Sequence, residues 1–182
     1  FDQQIFLVHP TAESTEADST SSSLVSTISS TGWIVESFLD GNRLTVVSNS
    51  VDGNGEVRFF DLSDPRAPRE EKSVALDYFA LQAFESHGKI FVARVNVPEF
   101  ETAVYPPIDR TSWTIEAFDP ASGDTNTRPA YTGSGYLFQW LETDDGVYIV
   151  SQHQLPSRLL EDGVNPVWEY SGETEVSRLV FD

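Results

Sequence analysis

The chain has 182 residues, 39% of them hydrophobic, and a formal net charge of −18 at pH 7. This length and hydrophobic content predict one domain, residues 1–182, with a substantial core. The negative charge argues against nucleic acid, because the phosphates would be repelled. The lack of cysteine excludes disulfides, thiol catalysis and cysteine-based zinc sites.

No apolar run approaches the length of about 18 residues that a membrane-spanning helix needs, so no membrane span is predicted. The chain begins at Phe1 and contains no methionine. We therefore expect a processed protein, an excised domain or part of a longer chain.

The N-terminal part combines an apolar strand with a polar segment. Residues 1–8, "FDQQIFLV", predict a strand, and 13 of the 21 residues from Thr11 to Thr31 are serine or threonine. Such a composition favours a solvated chain over a packed one. We expect residues 11–31 to form a flexible Ser/Thr-rich loop within the domain, in which "SLVSTIS" (residues 23–29) could add a strand.

A pattern of alternating large apolar residues then recurs along the chain. Its four copies are Ile5–Val8, Leu44–Val47, Ile90–Ala93 and Val147–Val150. The last three follow a second apolar segment and a tight turn, in "WIVESFLDGNR" (33–43), "FALQAFESHGK" (79–89) and "YLFQWLETDDG" (136–146). Asp-Gly and His-Gly supply the positive φ that such turns require, so each pair predicts a β-hairpin.

Two more strands are predicted after the hairpins. The segments "GEVRFFDLSDP" (55–65) and "SWTIEAFDPASGD" (112–124) correspond, each with a Phe-Asp pair ahead of a Pro- or Gly-containing turn. Weaker strands follow near residues 70–75 and 127–131, and "NPVWEYSG" (165–172) takes their place in the last unit. Four strands in units of about 45 residues are typical of β-propeller blades.

The two ends of the chain resemble the halves of one hairpin. The segment "SRLVFD" (177–182) predicts a first strand without a second, and residues 1–8 predict a second strand without a first. The sequence therefore predicts an all-β, β-propeller-like fold of about four blade equivalents of antiparallel strands, with one blade split between the N- and C-terminus. It would be a small ring or an arc of a larger propeller, whose open edges need a cover.

The segment "VRFFDLSDPRAPREEKSV" (57–74) resembles a turn of bacterial and archaeal surface propellers, both those with LVIVD repeats and the secreted β-propeller-domain proteins. The neighbouring "DGNRLTVVSNS" (40–50) and "HGKIFVARVNVPEF" (87–100) extend the similarity over about residues 32–124. The resemblance implies an exported propeller in the extracellular space, at the cell surface or in the periplasm. It brings no catalytic residues.

Candidate metal ligands are few. The segment "DGNGE" (52–56) places oxygen ligands at the spacing with which a calcium loop begins, so Asp52, Asn54 and Glu56 are a candidate calcium site. A plain hairpin turn is the alternative. His9 and His153 both follow predicted second strands, where a metal site would also need a carboxylate; His87 is expected to be structural.

The remaining chemistry is sparse. No nucleophile elbow, phosphate loop or dinucleotide fingerprint occurs, and no cofactor other than calcium is predicted. The four tryptophans are expected in the core between blades: Trp33, Trp113, Trp140 and Trp168.

The sequence favours a non-enzymatic module for adhesion, scaffolding or subunit assembly through its loops and edge strands. Its partners would be a protein or glycan ligand, or neighbouring subunits joined by strand pairing. The alternative is a carbohydrate-active hydrolase with its site at the propeller axis, which acids or histidines converging on a central cavity would favour.

Overall fold

The computed structural model describes residues 3–10, 22–30, 32–96, 112–121, 129–143, 146–154, 158–161, 166–169 and 172–179. These described residues form fifteen strands and no helix, and accordingly no helix that could cross a membrane. In chain order the strands are β1 (Gln3–Pro10), β2 (Ser22–Ser30), β3 (Gly32–Asp40), β4 (Arg43–Ser50), β5 (Gly55–Asp61), β6 (Arg69–Ala75), β7 (Gln82–Ser86), β8 (Lys89–Asn96), β9 (Ser112–Phe118), β10 (Pro129–Ser134), β11 (Tyr136–Thr143), β12 (Gly146–Gln154), β13 (Arg158–Glu161), β14 (Pro166–Glu169) and β15 (Gly172–Leu179). The all-β class is confirmed.

In the described part of the chain the strands form five sheets. Two sheets have four strands, in the orders β3-β4-β5-β6 and β10-β9-β8-β7, so that neighbours in the chain are neighbours in the sheet. A third sheet has the order β11-β12-β15, and two more are the pairs β1-β2 and β13-β14. The predicted hairpins β3-β4, β7-β8 and β11-β12 are all present.

Tight turns close these hairpins as the sequence predicts. Gly41, between β3 and β4, has φ 56°. His87 and Gly88, between β7 and β8, have φ 53° and 70°. Two successive positive φ values match the twist of the flanking strands, which explains why the turn uses glycine and a residue that tolerates this region.

The described residues divide between two compact units, residues 1–92 with 118–126, and residues 93–117 with 127–182. In the first unit the β3–β6 sheet is buried on both faces. Residues 44–49 of β4 are buried without interruption, although side chains of a strand point alternately to opposite faces. Alternation of apolar and polar residues is therefore lost in β4, as in any strand with a layer on either side.

One face of the β3–β6 sheet packs on the β1-β2 pair. Ile28 of β2 lies in a cluster with four buried sheet residues, and partly buried residues of β1 and β3 pack around it. The sheet residues are Leu44, Val46, Phe60 and Leu62, and the surrounding ones are Ile5, Leu7 and Ile34.

The opposite face packs on residues of the next sheet within the same unit. Its core contains Val47, Val57, Phe59, Val74 and Leu76 from the first sheet and its connection, together with Ala80, Ala83, Ile90, Val92 and Phe118. Within this unit the β3–β6 sheet therefore packs on the strands that precede it through one face and on the strands that follow it through the other.

A side-chain clamp holds the connection between these sheets. The Nδ2 group of Asn49, at the end of β4, donates to the main-chain O of Ala80, and Asn49 Oδ1 accepts from Ala80 N, both at 2.8 Å. Gly55 N donates to Tyr78 O at 2.7 Å. The Asn49 side chain therefore makes the two hydrogen bonds to Ala80 that a neighbouring strand would otherwise make, and Asn49 and Ala80 are both buried.

In the second unit, a small buried core lies on β11, β12 and β15, formed by Leu137, Val147, Ile149 and Leu179. On β9, Trp113 is 3% exposed and lies opposite Gly133 of β10. The glycine leaves room for the indole, since a Cβ there would lie only 2.1 Å from Trp113 Cζ2.

In the described residues each chain end pairs with a strand of its own unit, and the pairing of the two ends with each other stays a prediction. β1 pairs with β2, from Gln3–Ser30 to Pro10–Ser22, and β15 pairs with β12, from Val147–Leu179 to Gln154–Gly172. Both strands have the predicted extended character. However, the apolar side chains of β1 match Ile28 of β2, and an alternating pattern does not specify its partner.

One further expectation is wrong and another is confirmed in part. "NPVWEYSG" does not take the third position of the last sheet, because β14 pairs with β13 and β15 takes that position. Residues 22–30 of the Ser/Thr-rich segment form β2, so the suggested strand is confirmed there, while residues 11–21 lie outside the described residues.

Candidate functional site

The candidate calcium residues lie at the turn between β4 and β5. Ser50 N donates to Asn54 O at 2.8 Å, Gly53 N donates to Ser50 O at 3.0 Å, and Gly53 has φ 88°. Asp52 and Asn54 are exposed. Their main chain has the form of a closed hairpin turn.

The Glu56 carboxylate has an ion-pair partner within its own strand, since its Oε2 lies 3.7 Å from Arg58 Nε. Among the described residues, no three acidic or histidine side chains are grouped as a metal site would require. Calcium binding at Asp52, Asn54 and Glu56 stays a prediction.

The histidines with described side chains contact their own neighbours. His87 Nδ1 lies 2.9 Å from Ser86 Oγ within the β7-β8 turn. His153 Nε2, on β12, lies 3.0 Å from Glu175 Oε2 on β15, and Ser177 Oγ donates to Glu175 Oε1 at 3.3 Å. The side chain of His9 lies outside the described residues.

The Asp-Leu-Ser-Asp-Pro turn after β5 is held by its own acidic side chains. Asp61 Oδ1 accepts from Ser63 N at 2.8 Å and from Ser63 Oγ at 2.6 Å. Asp64 Oδ1 accepts from Arg66 N at 3.0 Å. At the corresponding turn after β9, Asp119 Oδ1 accepts from Ala121 N at 2.8 Å. These carboxylates shape the backbone.

The turn also anchors the neighbouring β1-β2 layer, because Ser26 Oγ of β2 donates to Pro65 O at 2.6 Å. Leu62 N donates to Asn42 O at 2.6 Å, which seats the buried Leu62 beneath the turn. The motif that carries the resemblance to surface propellers is therefore a structural joint between two sheets.

We expect acidification to weaken this joint through Asp61. Hydrogen bonds from Ser63 hold the pKa of the Asp61 carboxyl below its ordinary value of 3.8. A carboxyl with a lowered folded-state pKa contributes stability above its unfolded-state pKa, and this contribution is lost as pH falls through the folded-state pKa. Urea unfolding of wild type and Asp61→Asn should give wild type the higher midpoint near neutral pH and no such advantage in strong acid. An equal difference at both pH values would contradict the assignment.

A small cleft lies at the opposite end of the first unit from the calcium candidate turn. Its charged lining residues are Asp40, Arg43 and Glu85, with Phe38 and Ile90 beside them. Its volume is about 70 Å³, which is small beside the roughly 300–1,000 Å³ of ligand pockets. A cleft of this volume has room for a few water molecules and not for a sugar ring. Arg43 also has an acidic neighbour outside the cleft, since its Nε lies 3.8 Å from Glu71 Oε2.

Three exposed apolar residues neighbour the Asn49–Ala80 pair in the β-ladder or along the chain. Trp33, at the start of β3, and Phe79, in the connection before β7, are each 49% exposed, and Val51 in the β4-β5 turn is 67% exposed. We call Trp33, Val51 and Phe79 the Trp33 surface. Trp33 was expected in the core, and this expectation is wrong: Val35 and Phe38 are the β3 residues that pack on that core, and Trp33 lies beyond them at the strand's end.

The other three tryptophans differ in burial. Trp113 is buried as expected and Trp140 is partly buried. The side chain of Trp168 lies outside the described residues. Sequence reasoning missed the Trp33 surface because an aromatic residue on a strand is usually packed, and only its place at the strand terminus distinguishes it.

A second exposed feature is the edge of the β11-β12-β15 sheet. Residues 172–176 of β15 are exposed, and Val176 is 61% exposed. Among the described strands, β15 is hydrogen-bonded to β12 alone. Its eight-residue pairing with β12 runs without a bulge, which leaves a regular outer edge.

Comparison with protein-family models, with curated proteins and with solved structures finds no match. The resemblance to surface propellers therefore rests on the residues of the turn and its flanking strands alone.

Proposed function

We propose that the chain is a propeller-type, non-enzymatic module that assembles with other protein subunits through its loops and sheet edges. The propeller reading is supported by the two four-stranded sheets in chain order and by the three layers that meet face to face within the first unit. Its resemblance to surface propellers further favours an exported location.

The observation that carries the assembly role is the outer edge of β15. An edge strand presents unpaired main-chain groups and is a template for another strand. Proteins usually protect such edges with a bulge, a proline or charged side chains, lysine above all. β15 has no bulge against β12, no proline and no lysine, and its charges are Glu173, Glu175 and Arg178.

A second copy of the chain suits this edge. Two β15 strands paired antiparallel about Val176 would put Val176 opposite its own copy and Arg178 opposite Thr174. No glutamate would face a glutamate in that register, since Glu175 would lie opposite Ser177 and Glu173 opposite Leu179. The proposed partner is therefore a neighbouring subunit joined by strand addition.

Analytical ultracentrifugation over a wide concentration range tests this proposal. Wild type should associate reversibly, and Val176→Lys should stay monomeric with an unchanged melting temperature, because the side chain is exposed. Val51→Lys is the matched control, since Val51 is 67% exposed, against 61% for Val176, but lies in a turn of the first unit. A wild-type protein that is monomeric throughout, or a Val176→Lys variant that associates like wild type, would refute the role of the edge.

A further inference from the structure

The three apolar residues of the Trp33 surface are brought together by the β-ladder and the clamp. Trp33 lies directly opposite Asn49 in the β3-β4 pairing, and opposed residues of an antiparallel pair point to the same face. The Asn49 side chain on that face bonds Ala80, the residue after Phe79. Val51 follows Asn49 by two residues, at the turn.

The main chain around Phe79 is held in place. Both main-chain groups of Ala80 are bonded by Asn49, and Tyr78 O is bonded by Gly55 N, so hydrogen bonds fix the residues on either side of Phe79. A segment whose main chain is already fixed loses little backbone entropy when a partner docks. Exposed Trp and Phe side chains held in this way are typical of the anchors that dominate protein interfaces.

Acidic residues lie beside the surface in the chain, whereas Arg58 of β5 bonds Ser29 O, on the β1-β2 side of the sheet. Asp52 lies next to Val51 in the turn and is exposed, and Asp77 lies two residues before Phe79.

Aromatic faces next to carboxylates are complementary to a guanidinium group. Arginine stacks on aromatic rings, is weakly hydrated for a cation and pairs with carboxylates. We propose that the Trp33 surface docks an arginine-bearing, otherwise apolar segment of a partner protein, with the cation over the rings of Trp33 and Phe79 and near Asp52. This inference rests on the proposed role as a binding module, but it concerns a surface separate from the β15 edge.

A short capped peptide that alternates arginine and leucine is a suitable probe, with its citrulline analogue as the neutral control. Titration calorimetry should show binding of the arginine peptide, weaker binding at high salt, and little binding of the citrulline peptide. Trp33→Ala and Phe79→Ala should each weaken the affinity by about tenfold. Phe6→Ala is the matched control, because Phe6 is 57% exposed on β1 and should leave the affinity unchanged.

Trp33→Leu keeps apolar area but removes the ring, so it should also weaken binding if stacking matters. Equal affinity of wild type and both alanine variants, or an equal loss in Phe6→Ala, would overturn the inference. Binding of a neutral oligosaccharide with no binding of the arginine peptide would overturn it as well, in favour of a glycan.

Two variants test the β15 edge and the Trp33 surface independently of each other. Val51→Lys places a cation at the Trp33 surface and should abolish peptide binding while self-association persists. Val176→Lys should abolish self-association while peptide binding persists. Loss of peptide binding in Val176→Lys, or its persistence in Val51→Lys, would count against the Trp33 surface and leave the β15 edge to be judged by sedimentation.

Discussion

Replacing Asn49 by alanine is expected to lower the free energy of unfolding by about 2–6 kcal/mol. Asn49 is 1% exposed and Ala80 is fully buried, and the two hydrogen bonds between them satisfy both main-chain groups of Ala80. Removal of the side chain leaves a buried donor and a buried acceptor without partners, and each costs about 1–3 kcal/mol. Since small domains are stable by about 5–15 kcal/mol, this one change would remove a large part of the total.

Urea unfolding followed by tryptophan fluorescence measures this effect. Asn54→Ala is the matched control, because Asn54 is exposed in the nearby turn and its main chain alone is engaged there; we expect a change within about 0.5 kcal/mol. Asn49→Asp separates the two bonds, since a carboxylate accepts from Ala80 N but cannot donate to Ala80 O. If both Asn49 variants were as stable as wild type, the connection before β7 would not depend on the clamp.

The strands were predictable because their signals are local. Alternating apolar residues, the glycines at the turns and the Phe-Asp pairs each report on a few neighbouring residues, and the structure has strands at each of the four recurring segments. The His87-Gly88 turn likewise follows from two residues with positive φ. These features need no knowledge of the rest of the chain.

Strand partners were less predictable because they depend on distant faces. The last strand pairs with β12, a partner that its own alternating pattern does not specify, and what decides is which apolar faces become buried together. β1 meets β2 because Ile5, Leu7 and Ile28 then form one face against the β3–β6 sheet. Such a choice is a property of packing and not of either strand alone.

The same limit applies to the candidate sites. Asp52, Asn54 and Glu56 satisfy a ligand spacing in the sequence, but the structure places the Glu56 carboxylate beside Arg58. Trp33 has the residue type of a core position, but its place at the start of β3 leaves it half exposed. Spacing and residue type therefore do not show which side chains at the end of β4 and its turn are paired and which are exposed.

A second large effect is expected when Gly133 is replaced by alanine. The added Cβ would lie 2.1 Å from Cζ2 and 2.3 Å from Cε2 of Trp113, whose ring is buried and whose main chain pairs with Gly133 itself. Neither the ring nor the ladder can move without loss of packing, so we expect a cost of about 1–3 kcal/mol or more.

A double-mutant cycle tests the cause of that cost. Trp113→Ala alone should lower stability by about 3–5 kcal/mol, because it empties a buried site. Once the ring is absent, the Cβ of residue 133 has room, so Gly133→Ala should cost almost nothing in the Trp113→Ala background and could fill part of the cavity. Gly172→Ala is the matched control, since a Cβ there would meet only His153 O, at 3.2 Å, on an exposed strand end. Additive costs in the cycle would show that Gly133 is needed for its backbone and not for the space it leaves, which would refute the packing of the indole over the glycine.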